Sequence, residues 1–154
     1  MTSHLRVIGV FSAFSFLLHF VWEMLQVPLF AGMTDSPHGQ VVDLCTRATL
    51  GDVGIGLLAY SCGAAAQRDG LWMLRARAAG ASAYLLVGIA VTAVMEYAAT
   101  GPLQRWSYAP EMPIVPVLGI GLSPLLQWLV VPALVAWLTW RHLKCDLARF
   151  SRTP

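Results

Sequence analysis

The sequence predicts an all-α, polytopic membrane protein: one domain over residues 1–154, built as a bundle of four transmembrane helices with both termini cytoplasmic. Three observations predict it. First, the 154 residues are 57% apolar and only 12% charged, whereas a soluble domain carries about 25% charge. Such a chain cannot cover a water-facing surface, so lipid is its solvent. Second, four apolar stretches, about 7–30, 48–66, 78–100 and 115–140, have the roughly 20 residues a helix needs to cross a bilayer. Third, the cations are lopsided. Arg6, Arg68, Arg75, Arg77, Arg141, Lys144, Arg149 and Arg152 fall with the two termini and the middle connection, while only Arg47 and Arg105 fall on the other side. Basic residues collect on the cytoplasmic side of short loops. The expected setting is therefore a bacterial inner-type membrane, with connections 31–47 and 101–114 outside.

In the first stretch Arg6 precedes an apolar run, as in a signal peptide. The run from Val7 to Phe30 is too long for a signal core and no A-x-A-like site follows, so it reads as a retained membrane helix. The second carries a stripe of Asp52, Gly56, Ala59 and Gly63; the third carries Gly80, Tyr84, Gly88, Thr92 and Glu96 at every fourth position. The fourth is opened by Pro116, a favourable first-turn residue, with bends expected at Pro124 and Pro132, and repeats Gly119, Ser123 and Gln127. Small residues let helices approach closely in lipid, so the polar members of each stripe should face the bundle interior. Trp72, Trp137 and Trp140 suit an interfacial belt on the inner side.

The composition also excludes classes. A net charge of +2 is too small to indicate nucleic acid, and Cys45, Cys62 and Cys145 form no CxxC pair. The set contains neither Glu-x-x-His pairs for a di-iron bundle nor paired axial histidines for a haem; His38 stands in the outer loop. No metal and no cofactor are expected.

Ionisable residues within a bilayer are costly, and each is a functional-site hypothesis by default. His19, Glu23 and Gln26 share one face of the first helix. Asp52 near the start of the second span, Glu96 near the end of the third, and Gln127 in the fourth fall at a similar outer depth. The connection GPLQRWSYAPEMPIVP, stiffened by Pro102, Pro110, Pro113 and Pro116, adds Arg105, Trp106, Tyr108 and Glu111 and reads as a lid, or as a rigid aromatic-anchored connector. Trp22, Tyr97 and Trp128 would wall an amphipathic pocket. A carboxylic acid that stays protonated in such a pocket could protonate an apolar substrate, with His19 accepting or relaying the proton. Aromatic walls would stabilise a carbocation. The expected catalytic residues are His19, Glu23, Asp52 and Glu96. The expected substrate contacts are Trp22, Gln26, Tyr97, Arg105, Trp106, Tyr108, Gln127 and Trp128. The same residues also admit plainer roles: His19 and Glu23 pairing as helix glue, Asp52 favouring a helix dipole, Arg105 neutralising Glu96.

The segment HFVWEML, with His19 and Glu23 as HxxxE, resembles the sterol-isomerase-type EXPERA domain of emopamil-binding proteins. VMEYAATGPL, with Glu96 ahead of Gly101-Pro102-Leu103, is similar to that family's second acidic helix, and QWLVVPALVAWL to its closing helix. The resemblance covers about a quarter of the chain. It implies a four-span bundle in which His19, Glu23 and Glu96 donate and accept protons and Trp128 walls a sterol pocket. The Asn expected on the last helix is replaced at the nearest position by Gln127, and the RWSYAPEMP loop has no counterpart. The expected function is an intramembrane acid/base enzyme that isomerises or cyclises a sterol-like or isoprenoid lipid. The alternatives are a non-catalytic lipid- or pigment-binding accessory subunit and a small transporter. Expected partners are a membrane lipid or isoprenoid ligand and a second copy or partner membrane subunit.

Overall fold

The computed structural model describes residues 2–75 and 78–150, with side chains over 4–75 and 78–144. Arg77 and Arg152, and the side chains of Arg149 and Cys145, lie outside the described residues. The protein is 76% helical. The segments His4–Leu29, Ala78–Thr100 and Leu122–Lys144 are each long and apolar enough to cross a membrane, so this is an integral membrane protein.

Helix α1 (Thr2–Gln26) is closed by a 3-10 turn, Val27–Leu29, with Pro28 in its first turn. Proline suits a first turn because its missing N–H would be unpaired there anyway. Helix α2 (His38–Gln67) begins ten residues before the expected span, and its 30 residues extend about 45 Å at 1.5 Å per residue. The extension is polar and solvated. Arg47 pairs with Asp43 one turn away at 3.0 Å, while Val41, Cys45 and Thr49 carry the buried stripe outward at the same four-residue spacing as Gly56 and Tyr60. Asp52 is thus mid-helix and has no role at a helix start.

Helix α2 stops at Arg68, which adopts the left-handed conformation (φ 51°) while Asp69 N–H bonds back to Ala64 O at 3.0 Å. Asp69 then accepts from Leu71 N–H at 3.0 Å and from Arg75 at 2.9 Å, which nucleates the short α3 (Trp72–Arg75). Helix α4 (Ala78–Thr100) has the expected bounds.

The start of the fourth helix is a correction. Residues Ile114–Val115 (β1) and Ile120–Gly121 (β2) pair as an antiparallel hairpin, so the fold is not purely α, and α5 runs only from Leu122 to Phe150. Val115 O accepts from the N–H of Gly119 at 2.9 Å, and Gly119 takes φ 66°. That left-handed residue reverses the chain before a helix can propagate. Pro116 therefore sits in the hairpin turn. Pro124 falls in the first turn of α5, where it displaces no internal bond, and Pro132 alone lies inside the helix.

The four long helices pack in a ring, α1 against α2, α2 against α4, α4 against α5 and α5 against α1. His19 on α1 meets Gln127 on α5, and Phe14, earlier in α1, meets His142, later in α5, so these two helices are antiparallel. Away from the α4–α5 connection the interior is aromatic: Phe11, Tyr60, Trp72 and Tyr84 contact one another at ring-centroid distances of 5.5–6.1 Å. Trp72 is not interfacial. It is 2% exposed, and its indole N–H donates to Tyr60 O at 3.1 Å. A Cβ on Gly63 or Gly80 would stand within 2.9 Å of its ring, so these glycines of the stripes make room for an indole. Trp137 is 48% exposed with Arg141 over its ring, and Lys144 lies over Trp140, as cations near a membrane surface do.

Candidate functional site

The helical period places His19, Glu23 and Gln26 on the inward face of α1, and the ring of helices carries Asp52 and Gln127 to them. The Gln127 amide nitrogen lies 2.8 Å from His19 Nδ1, 3.0 Å from Asp52 Oδ2 and 3.2 Å from Glu23 Oε1. His19 Nδ1 and Asp52 Oδ2 are 3.4 Å apart. Gln26 donates to Glu23 Oε1 at 2.8 Å and accepts from Ser123 Oγ at 2.9 Å. One connected network therefore ties α1, α2 and α5 together. His19, Gln26 and Gln127 are buried.

Room for this network depends on Trp128. The indole is fully buried and lies against the His19 ring at 5.4 Å and 45°. Gly88 on α4 accommodates its far edge: a Cβ there would stand 2.1 Å from Trp128 Cε3. Trp22 packs partly buried beside the core, with no protein partner for its indole N–H among the described residues.

Glu96 forms a second, adjacent group. Its carboxylate accepts a short hydrogen bond from the Tyr108 hydroxyl and a longer one from Trp106 Nε1 at 3.4 Å. It is near enough to Glu23 and Asp52 for their charges to interact. Backbone pairing brings the loop there. Phe30 and Tyr108 form an antiparallel bridge, with Ala31 N–H donating to Ser107 O and Ala109 N–H to Leu29 O, both at 2.9 Å. Gly121 completes the closure, since a Cβ there would meet Met112 Sδ at 2.9 Å and Tyr108 at 3.0 Å. Burial and the Glu96 bond push the Tyr108 phenol above its ordinary value, so it stays a neutral donor at physiological pH.

Of the expected site residues, His19, Glu23, Gln26, Asp52 and Gln127 thus bond to one another and Trp128 packs on His19. Glu96, Trp106 and Tyr108 form the neighbouring group. Arg105 does not join them: its side chain is exposed, and among the described residues it makes no ion pair with Glu96. Tyr97 is 65% exposed, and Glu111 and His38 are also exposed. Among the described residues no group of three His, Cys, Asp or Glu side chains could hold a metal.

A groove of about 370 Å³ opens where α4 meets the connection, bounded by Tyr97, Thr100, Ser107, Tyr108, Leu118 and Gly119. The sequence pattern singles out Tyr97, Tyr108 and Gly119 but passes over Thr100, Ser107 and Leu118, because helical periodicity does not say which loop residues a helix end meets. Ser123 was legible as a stripe residue; its tie to Gln26 needed the helices assembled.

The chemistry open to the cluster follows from counting protons. An amide NH₂ has two hydrogens, and three acceptors face it. The amide can therefore give each of two acceptors a hydrogen and only share one with the third, which leaves acceptor capacity in the cluster open to a proton. Comparison with family models, curated proteins and solved structures finds no match to this chain.

Proposed function

We propose that the chain crosses a bacterial cytoplasmic-type membrane four times with both termini inside, and that it is an intramembrane acid/base enzyme isomerising or cyclising an isoprenoid or sterol-like lipid. The observation that carries this reading is the convergence of His19, Glu23 and Asp52 on the single amide of Gln127, beside a third carboxylate, Glu96, held by Tyr108 and Trp106. Such a set can hold a proton, hand it on and take one back. A carboxylic acid, Glu23 or Glu96, adds a proton to an alkene carbon of the lipid. The cation so formed is stabilised by neighbouring aromatic rings. A basic member of the cluster removes a proton from an adjacent carbon, and the double bond has moved with no net consumption of acid. Asp52 holds His19 in position, and Gln127 fixes both.

Lipid extracts of membranes containing the protein, supplied with isoprenoid and sterol precursors, should show a product of unchanged mass and altered double-bond position. Glu23→Gln and Glu96→Gln should each remove it. Full turnover by both variants would overturn the proposal.

One observation favours a second reading, a non-catalytic lipid- or pigment-binding subunit. The members of the His19 cluster bond directly to one another, as polar groups that fasten helices do. Copurification with a membrane partner in fixed ratio, undisturbed by the two carboxylate variants, would select it.

A further inference from the structure

We infer that the groove between the end of α4 and the α4–α5 connection binds the hydroxyl end of a neutral, single-headed isoprenoid or sterol-type alcohol, which hydrogen-bonds to the Tyr108 oxygen. The site serves the acid/base reading above, and its occupancy can be measured without turnover.

Four features support it. The volume, about 370 Å³, lies within the roughly 300–1,000 Å³ of small-molecule sites. The lining is amphipathic: Thr100, Ser107 and Tyr108 bring hydroxyls, while Leu118 and the Tyr97 ring bring apolar surface. None of the lining side chains is charged, whereas phosphate headgroups are held by Arg, Lys or charge-assisted bonds. The head it takes is therefore neutral.

The mouth continues onto the outer surface of α4. Leu86, Val94 and Tyr97 are 67%, 66% and 65% exposed. Their spacing of eight and then three residues sets them along one helix face. An apolar tail can follow that face into the bilayer while the head turns into the groove. In the same connection, Leu103 is 62% and Val117 93% exposed, apolar surface that lipid or an apolar ligand would cover.

Tyr108 links the groove to the buried acid. Its proton is committed to Glu96, which is only 8% exposed; its oxygen also faces the Gly121 N–H, while the Thr100 hydroxyl donates to Glu96 O at 2.8 Å, which leaves one lone pair for a ligand hydroxyl. A bound alcohol then donates to Tyr108, Tyr108 donates to Glu96, and occupancy is felt at the carboxylate. Tyr108 is in this scheme the residue that distinguishes an alcohol from a hydrocarbon.

The test is photolabelling of the full chain in lipid nanodiscs with three diazirine probes of equal length: farnesol, the same chain without its hydroxyl, and its phosphate monoester. Labelled peptides are mapped by mass spectrometry. Farnesol should label 97–101 and 107–119 several-fold more than the hydrocarbon, with the phosphate ester no better than the hydrocarbon. Leu118→Trp, which fills the groove, should abolish the labelling. Tyr108→Phe, checked for intact unfolding behaviour, should erase the preference for alcohol over hydrocarbon. Equal labelling of α1 and α4 by all three probes would mean annular lipid only and would overturn the inference, as would a dominant phosphate ester or an alcohol preference unchanged in Tyr108→Phe. Glu23→Gln should leave the labelling intact. Labelling that persists where no turnover is found would remove the enzyme reading and leave the groove standing, and turnover without labelling would do the reverse.

Discussion

Gly88→Ala adds one methyl group where the structure has no space for it. The new Cβ would stand 2.1 Å from Trp128 Cε3 and 2.3 Å from Cζ3, and ordinary contact begins at 3.4 Å. The ring would have to retreat by about 1.3 Å, the difference between the 3.4 and 2.1 Å distances. It is fully buried, with His19 on its other side at 5.4 Å. Overpacking a filled core costs about 1–3 kcal/mol, and a clash with two ring carbons belongs at the upper end. Alanine returns about 1 kcal/mol through its better helix propensity, which leaves a net loss of about 2 kcal/mol. The assay is reversible unfolding in mixed detergent micelles, read as a double-mutant cycle with Trp128→Leu. Without the indole the clash disappears and only the propensity gain remains, so Gly88→Ala should become stabilising by about 1 kcal/mol. The coupling should then be about 3 kcal/mol, near the upper end of measured values for residues in contact. Additivity of the two changes within about 0.5 kcal/mol would refute the account in which Gly88 makes room for the Trp128 indole.

Gln127→Met keeps the volume and removes the amide that faces His19, Glu23 and Asp52; each orphaned polar group costs about 1–3 kcal/mol, and the same unfolding titration reads the sum. Tyr108→Phe should speed amide hydrogen exchange across 101–113, because the side-chain tie to Glu96 is lost while the backbone bridge to Phe30 stays; exchange as slow as in the parent chain would contradict the tie. The same variant tests a pH dependence. The phenol is raised above its ordinary 10.0, so its contribution is complete below pH 10 and is lost as pH climbs through the higher folded value. Stability of the parent should fall above pH 10, less steeply in Tyr108→Phe. Gly63→Ala would place a Cβ 2.9 Å from both Gly80 O and the Trp72 ring and should destabilise; Gly54→Ala meets nothing within 4 Å and should be neutral or stabilise by up to about 1 kcal/mol.

The sequence by itself determined the helical, membrane-integral character and which residues lie near the loop-bearing end of the bundle. Apolar run length and the 3.6-residue period are local properties, so Ala78–Thr100 was bounded correctly and His19, Glu23 and Gln26 were placed on one face. The tertiary structure alone decided what those faces meet. The Gln127 bonds to His19 and Asp52 join residues 108 and 75 positions apart, and no local pattern encodes which helices are neighbours in a ring. It also decided that Trp72 is a buried plug, because the space it fills is made by glycines on two other helices. The early start of α2 escaped a reading based on hydropathy, since its first turns are polar and held by an Asp43–Arg47 pair. The hairpin before α5 escaped it because a single left-handed glycine, Gly119, outweighs an apolar run that otherwise looks helical. The groove beside Tyr108 exists only once α4, the connection and that hairpin have come together; its lining is drawn from three segments that share no periodicity.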